Sequence, residues 1–331
     1  MSFVNTNTGY LLGYPATTGA NAFIAPGPLL ARTDDGGRIW HRVPVPKRIQ
    51  TVNDGASTVH FLTQDVGFII GRRTYLTTDG ARRWRRVDRG LRIVDLNAAA
   101  GRVWALTHPC HSCHALILYA AALSHPRLRR VPHAPRFRRG ARFIDGSGDE
   151  IYVVTAPKEH RGRIFRSYRG GGWTRQREPC ASFGSFAAWS DAGVAAVCNV
   201  IMFGVGSETK RAYVSFDGAH SWTRRGAPGE SGYIGPLAAG SSNDWVLAEE
   251  RGAFLTTIDD GAHWAYTGPA AVLGQGVGDT QFTDADHVVA IPDFTPNRVF
   301  MYSDDAGLRW TVHRFPKWPR HRTEWHLRSV S

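Results

Sequence analysis

Lysine is nearly missing from this chain. Only Lys47, Lys158, Lys210 and Lys317 occur, so 36 of the 40 basic residues are arginine. Cysteine is scarce too, at four residues, which excludes a small disulfide-dense scaffold. No apolar stretch reaches the roughly eighteen residues of a membrane helix. The longest, Gly193 to Gly206, is interrupted by Cys198 and Asn199 and reads as a strand running into a loop. No signal peptide is read at the start, where Ser2-Phe3-Val4 and Gly9 to Gly13 are already strand-like. A Gly-x-Ser-x-Gly elbow and a glycine-rich phosphate loop are both lacking, so the usual signs of serine-hydrolase and nucleotide chemistry are absent.

Glycine, by contrast, is plentiful at 36 residues, and proline reaches 18. That composition suits short strands joined by many turns, and a hydrophobic fraction of 42% is ample for a core. The formal charge is +12, which predicts a positive surface that favours anionic partners.

One phrase recurs along the chain: Ser/Thr-x-Asp-x-Gly-x-x-Trp. Residues 33–40, 257–264 and 303–310 fit it, and residues 77–84 and 215–222 fit with Ala in the Gly position. A worn copy, Ser167 to Trp173, lacks the Asp and one residue. Hydrophobic runs precede each phrase, and polar or aromatic runs follow, so each reads as strand, tight turn, strand. The carboxylates of Asp35, Asp79, Asp217, Asp259 and Asp305 can accept backbone N–H groups across such a turn. Trp40, Trp84, Trp222, Trp264 and Trp310 begin the returning strands and can bury large apolar areas. None of this needs a ligand, and the structural role outweighs a catalytic one for these aspartates.

The tryptophans also act as a ruler. With Trp173 added, the gap from 84 to 173 is a double interval, and Leu128 fills it after the run Leu116 to Tyr119. The intervals become 44, 44, 45, 49, 42 and 46 residues. Seven units of about 45 residues predict an all-β, seven-bladed propeller with four antiparallel strands, A to D, per blade. The expected blades cover residues 2–46, 57–89, 92–132, 141–179, 185–227, 233–268 and 278–316. A tail, 317–331, is expected to pack on the propeller or close it.

The phrase resembles the Asp-box, or bacterial neuraminidase repeat, of sialidases, two-propeller xyloglucan hydrolases, the sortilin ectodomain and photosystem II assembly factors. The resemblance spans nearly the whole chain and implies a fold rather than an activity, because those relatives do unrelated things on similar scaffolds. Sialidases add an arginine triad, a Phe-Arg-Ile-Pro start and a Tyr/Glu pair. The nearest stretch here, Arg163-Ile164-Phe165-Arg166, falls in the middle of the chain.

In a propeller the A–B and C–D turns share one end of each blade, and the B–C and D–A connections share the other. The site is expected among the latter. The B–C loops are Tyr14 to Pro28, Arg72-Arg73, His108 to His114, Lys158 to Arg161, Asn199 to Lys210, Glu249 to Arg251 and Asp293 to Arg298. Candidate ligand-binding residues are Arg72, Arg73, His108, Lys158, His160, Arg161, Arg251 and Arg298. A glycoside hydrolase or polysaccharide lyase would instead need facing carboxylates, for which Glu159, Glu249, Glu250 and Asp293 are the candidates.

Topology brings Cys180, just before strand A of the fifth unit, beside Cys198 at the end of strand B. A disulfide there implies an oxidising compartment, hence secretion or the cell envelope. In the stretch His108-Pro109-Cys110-His111-Ser112-Cys113-His114, a local Cys110–Cys113 disulfide is favoured. Metal binding by those cysteines with His108, His111 and His114, and c-type haem attachment, remain open alternatives. No cofactor is expected. Arginine runs at 82–89 and 127–142 fall on outer strands, where charge discourages edge pairing, so nucleic acid is not the expected partner. The expectation is a monomeric, exported binding or assembly module for an anionic polysaccharide or a protein partner.

Overall fold

Strand Glu150–Thr155 (EIYVVT) is buried along its whole length, and its side chains divide by parity. Ile151 and Val153 pack against Trp104, Leu106 and Leu118 of the preceding sheet. Tyr152 and Val154 pack against Phe186, Val194 and Ala196 of the following one. Strand Trp245–Glu249 divides likewise: Trp245 and Leu247 join Val197 and Val214, whereas Val246 and Ala248 join Val288 and Met301. A strand covered on both faces has no polar alternation, which is why these segments are unbroken hydrophobic runs.

The computed structural model describes residues 1–13, 29–46, 49, 58–87, 92–109, 115–135, 137, 141–155, 162–180, 182–203, 207–229, 232–249, 254–268, 277–292, 299–314, 324–326 and 328–330. They form a seven-bladed β-propeller whose blades are antiparallel meanders, with strands adjacent in space in chain order. Blade 1 is Ser2–Phe3, Gly9–Gly13, Leu29–Thr33 and Ile39–Val43, and blade 2 is Thr58–Phe61, Val66–Ile70, Tyr75–Thr78 and Arg85–Arg86. Blade 3 is Arg92–Ala99, Arg102–His108, Ile117–Ala122 and His125–Arg130, and blade 4 is Ala141–Ser147, Glu150–Thr155, Arg163–Tyr168 and Trp173–Gln176. Blade 5 is Phe183–Ser190, Gly193–Phe203, Ser207–Ser215 and Thr223–Arg224. Blade 6 is Ile234–Ala239, Trp245–Glu249, Phe254–Thr257 and Ala265–Thr267. Blade 7 is Val277–Phe282, Val288–Pro292, Val299–Ser303 and Thr311–Arg314. Among the described residues there is no helix long and apolar enough to cross a membrane.

Two compact units partition the chain: residues 1–93, 109–111 and 313–331, and residues 94–108 and 112–312. In the first, the backbone of Glu324–His326 pairs antiparallel with Ile39–Val43, adding a fifth strand to the sheet of blade 1. The core of this unit gathers Tyr10, Leu30, Val59, Phe61, Ile69 and Tyr75. In the second, the A strands of blades 4 to 7 contact one another in succession.

Side chains on the A strands latch one blade to the next. The Phe61 N–H donates to Ser2 Oγ at 2.9 Å, and the Ile144 N–H donates to Asp95 Oδ2 at 2.7 Å. Further along, the Ala188 N–H donates to Asp145 Oδ2 at 2.8 Å, and the Leu237 N–H donates to Ser185 Oγ at 2.9 Å. Each latch satisfies a backbone donor that an edge strand would otherwise leave unpaired. At the opposite edge two of the D strands, Arg85–Arg86 and Thr223–Arg224, are short and exposed throughout. Blade 3 has no turn phrase. There Ala122 pairs directly with His125, closing strands C and D through Leu123 and Ser124.

Candidate functional site

Five turns between strands C and D share one set of bonds. In blade 5, the Ser215 hydroxyl donates to Asp217 Oδ1 at 2.8 Å, while the Ala219 N–H donates to Ser215 Oγ at 2.9 Å. The Ser221 N–H donates to Asp217 Oδ1 at 2.8 Å. The same three bonds recur around Asp35, Asp79, Asp259 and Asp305. Two consecutive residues in each turn hold positive φ, such as Gly36 and Gly37 at 73° and 91°. Where Ala stands for Gly, Ala81 and Ala219 adopt φ of 70° and 68°, a left-handed backbone that a β-carbon makes costly. Burial pulls the Asp217 carboxyl up, but the Ser221 hydroxyl and N–H and the Ser215 hydroxyl outweigh it and hold its pKa down to about 2. Burial is likewise outweighed at Asp79 and Asp259, which lie below the ordinary carboxylate range. These aspartates are consumed by the turn.

The tryptophans after the turns tie blades together. Trp84 Nε1 donates to Pro44 O at 2.9 Å, Trp222 Nε1 to Arg177 O at 2.8 Å and Trp310 Nε1 to Thr267 Oγ1 at 3.3 Å. Trp40 and Trp264 instead close on their own turns, at Gly37 O and Gly261 O.

At the other end of the blades, Arg72 and Arg73 are exposed in the B–C turn of blade 2. His108 ends strand B of blade 3 and is half-buried. Lys158, His160, Arg161, Arg251 and Arg298 lie outside the described residues, as do Glu159, Glu250, Asp293, Cys110, Cys113, His111 and His114. Among the described residues no group of three or more His, Cys, Asp or Glu side chains could hold a metal ion.

Glu249 is described, and it faces the interior at 1% exposure. Its Oε1 lies 2.7 Å from Nζ of Lys210, which is itself fully buried, and Lys210 Nζ also donates to Gly232 O at 3.2 Å. Beside them the buried Glu208 accepts from Asn199 Nδ2 and from the Ile234 N–H. The sequence places Asn199 to Lys210 in a loop. Instead Asn199 pairs with Lys210 across a hairpin, because strands Gly193–Phe203 and Ser207–Ser215 continue well past it. This ionic core joins blades 5 and 6. Nearby, Cys180 and Cys198 form a disulfide with their Cα atoms 6.2 Å apart, the pairing that topology predicts.

Two further carboxylates escaped sequence reasoning. Burial pushes Asp95 up to about 6, against the Ile144 and Leu96 N–H bonds, with the charge of Asp279 adding to the rise. Burial pushes Asp145 up to about 7, against bonds from the Ala188 and Gly146 N–H groups, with the charge of Asp95 adding. An acid held protonated near neutrality beside an ionised one is a pattern seen in acid–base catalysis. Here both groups are latches between A strands, and serine does that task at Ser2 and Ser185. The latch explains their placement without chemistry. No local signal could have revealed it, since Asp95 and its donor are 49 residues apart in the chain.

No protein-family model matches this chain, and no curated protein matches it. Solved structures do. "YCF48 bound to D1 peptide" is similar with a TM-score of 0.60 at 17% identity, over 92% of this chain and 89% of that one. "YCF48 from Cyanidioschyzon merolae" gives 0.57 at 17% identity, over 83% and 87%. A GH74 enzyme of Niastella koreensis gives 0.46 at 12% identity, over 93% and 64%. At these identities the likeness is one of fold.

Proposed function

We propose that this protein is a non-catalytic binding or assembly module, which takes an anionic ligand or a protein partner through the B–C and D–A loop end of its blades. The observation that carries the reading is the use to which carboxylates and arginines are put. Asp95, Asp145 and Glu249 are spent on holding blades together. Arg72 and Arg73, by contrast, stand exposed at the loop end of a chain with a formal charge of +12. Exposed cations with a strong net positive field attract anions at long range. A protein partner is supported by the similar fold that was solved with a peptide bound. An exported setting is supported by the Cys180–Cys198 disulfide.

The test is a binding screen of the whole protein against anionic polysaccharides, neutral glycans and peptides, with Arg72→Ala/Arg73→Ala alongside wild type. Binding to polyanions that weakens at least tenfold in the double variant is the expected result. Indifference to the double variant, or turnover of a neutral glycan, would overturn the reading.

A further inference from the structure

In the Ser/Thr-x-Asp turns one side chain takes no part in the turn's own bonds. The first and third residues of the phrase turn inward to make the bonds described above, so the second projects outward and is free to vary. In blades 1, 2 and 7 it is Asp34, Thr78 and Asp304, all exposed and polar. In blades 5 and 6 it is Phe216 and Ile258, exposed by 56% and 52%, and Tyr168 holds the same place in the worn turn of blade 4, exposed by 53% with its hydroxyl donating to Asp149. Leu308, in the same turn of blade 7, is exposed by 40%. Among the described residues, four of the seven exposed large hydrophobics therefore fall on this one end of four consecutive blades. Single exposed apolar residues need no explanation; what sets these apart is that each falls in the C–D turn of one of four consecutive blades.

The surface under these side chains is rigid. Each C–D turn is tied to the A–B turn of its own blade: Arg169 N to Asp149 O at 2.7 Å, Gly218 N to Ala192 O at 2.9 Å, Asp260 N to Asn243 O at 3.2 Å and Ala306 N to Asp286 O at 2.7 Å. Neighbouring blades are joined there as well, through Asp149 N to Asp191 Oδ1 at 2.7 Å and Thr256 Oγ1 to Gly307 O at 2.9 Å. Phe216 stands edge-on to Trp189 with ring centroids 6.1 Å apart, which widens the apolar area.

Charge at this end opposes the charge of the whole. In a chain of formal charge +12, the A–B and C–D turns of blades 4 to 7 hold ten aspartates against two arginines, Arg169 and Arg309. Arg169 pairs with Asp149 and Arg309 with Asp305, while Arg225 pairs with Asp260, which leaves a local excess of carboxylates that includes the exposed Asp191, Asp286 and Asp304. We infer that this end of blades 4 to 7 is a docking surface for a protein segment in which apolar side chains alternate with Lys or Arg. The apolar side chains would cover Tyr168, Phe216, Ile258 and Leu308, and the cations would meet the exposed carboxylates of Asp191, Asp286 and Asp304. Such a partner must approach against the overall positive field, so binding reports local complementarity rather than long-range attraction.

The probe is a synthetic peptide alternating Leu and Arg, with Leu/Glu and Ser/Arg peptides as controls, titrated into the whole protein by fluorescence anisotropy. The variant is Phe216→Thr/Ile258→Thr, because blade 2 already carries Thr78 at the same place in its turn. The expected result is binding of the Leu/Arg peptide that falls at least tenfold in the variant, weaker binding of Ser/Arg and none of Leu/Glu. Arg72→Ala/Arg73→Ala should leave this binding unchanged, which separates it from the loop-end site. Equal binding by wild type and variant, or no binding by wild type, overturns the inference. Self-association of wild type that the variant abolishes would make the occupant a second copy, and would also overturn it.

Discussion

At the scale of single residues, neighbours in one turn have unequal roles. Asp217→Ala leaves the Ser221 N–H and Ser215 hydroxyl without their acceptor, and should cost about 1–3 kcal/mol in urea unfolding. Phe216→Thr, one residue earlier and exposed, should change stability by no more than about 0.5 kcal/mol. Titration separates two classes of aspartate. Asp217 has a pKa lowered to about 2, so its stabilising contribution is complete above the unfolded carboxylate range and is lost as pH falls through that range toward 2. Asp145 has the opposite sign. Its folded pKa of about 7 exceeds the unfolded value, so the folded state holds the extra proton and stability falls as pH rises from about 4 to 7. Asp145→Asn should remove that component, and the difference in slope between variant and wild type across pH 4 to 8 is the measurement.

Elements are where the sequence was most readable and also where it misled. The tryptophan spacing counts seven blades because one bulky residue lies at or near the returning strand of each. It worked even through blade 3, where a hairpin turn at Leu123 and Ser124 replaces the phrase. The loop drawn at Asn199 to Lys210 failed because polar residues there are buried by partners on another blade, Glu249 and Gly232 among them. A local reading sees only a polar break. The energetic consequence can be measured. Lys210→Met alone removes the cation that faces buried Glu249 at 2.7 Å and should cost about 3–5 kcal/mol, whereas Lys210→Met/Glu249→Leu should recover much of that loss. Reducing Cys180–Cys198 should lower unfolding free energy by about 3 kcal/mol in the chain-entropy model, read as a shift in urea midpoint on adding dithiothreitol.

For the molecule as a whole, the architecture follows from a repeat that any one copy would state only weakly. Function does not, because the repeat specifies turns and joints. What the surface does depends on the residues those turns leave free, such as Phe216 and Ile258, and on loop ends such as Arg72 and Arg73. Phe216 and Ile258 hold a fixed place in the phrase but no fixed residue type, and Arg72 and Arg73 have neither. If the loop end binds polyanions, its affinity should fall steeply between about 50 and 200 mM salt, the signature of counterion release. A peptide at the turn end, held by apolar contacts as well, should lose less over that interval.

The buried strand Glu150–Thr155 serves two joints at once, odd residues to one side and even residues to the other. A shift of register by one would therefore exchange the two sides, presenting Tyr152 to a space shaped for Val153. Deleting a single residue within this strand should be far more damaging than deleting two, and both more damaging than lengthening a loop.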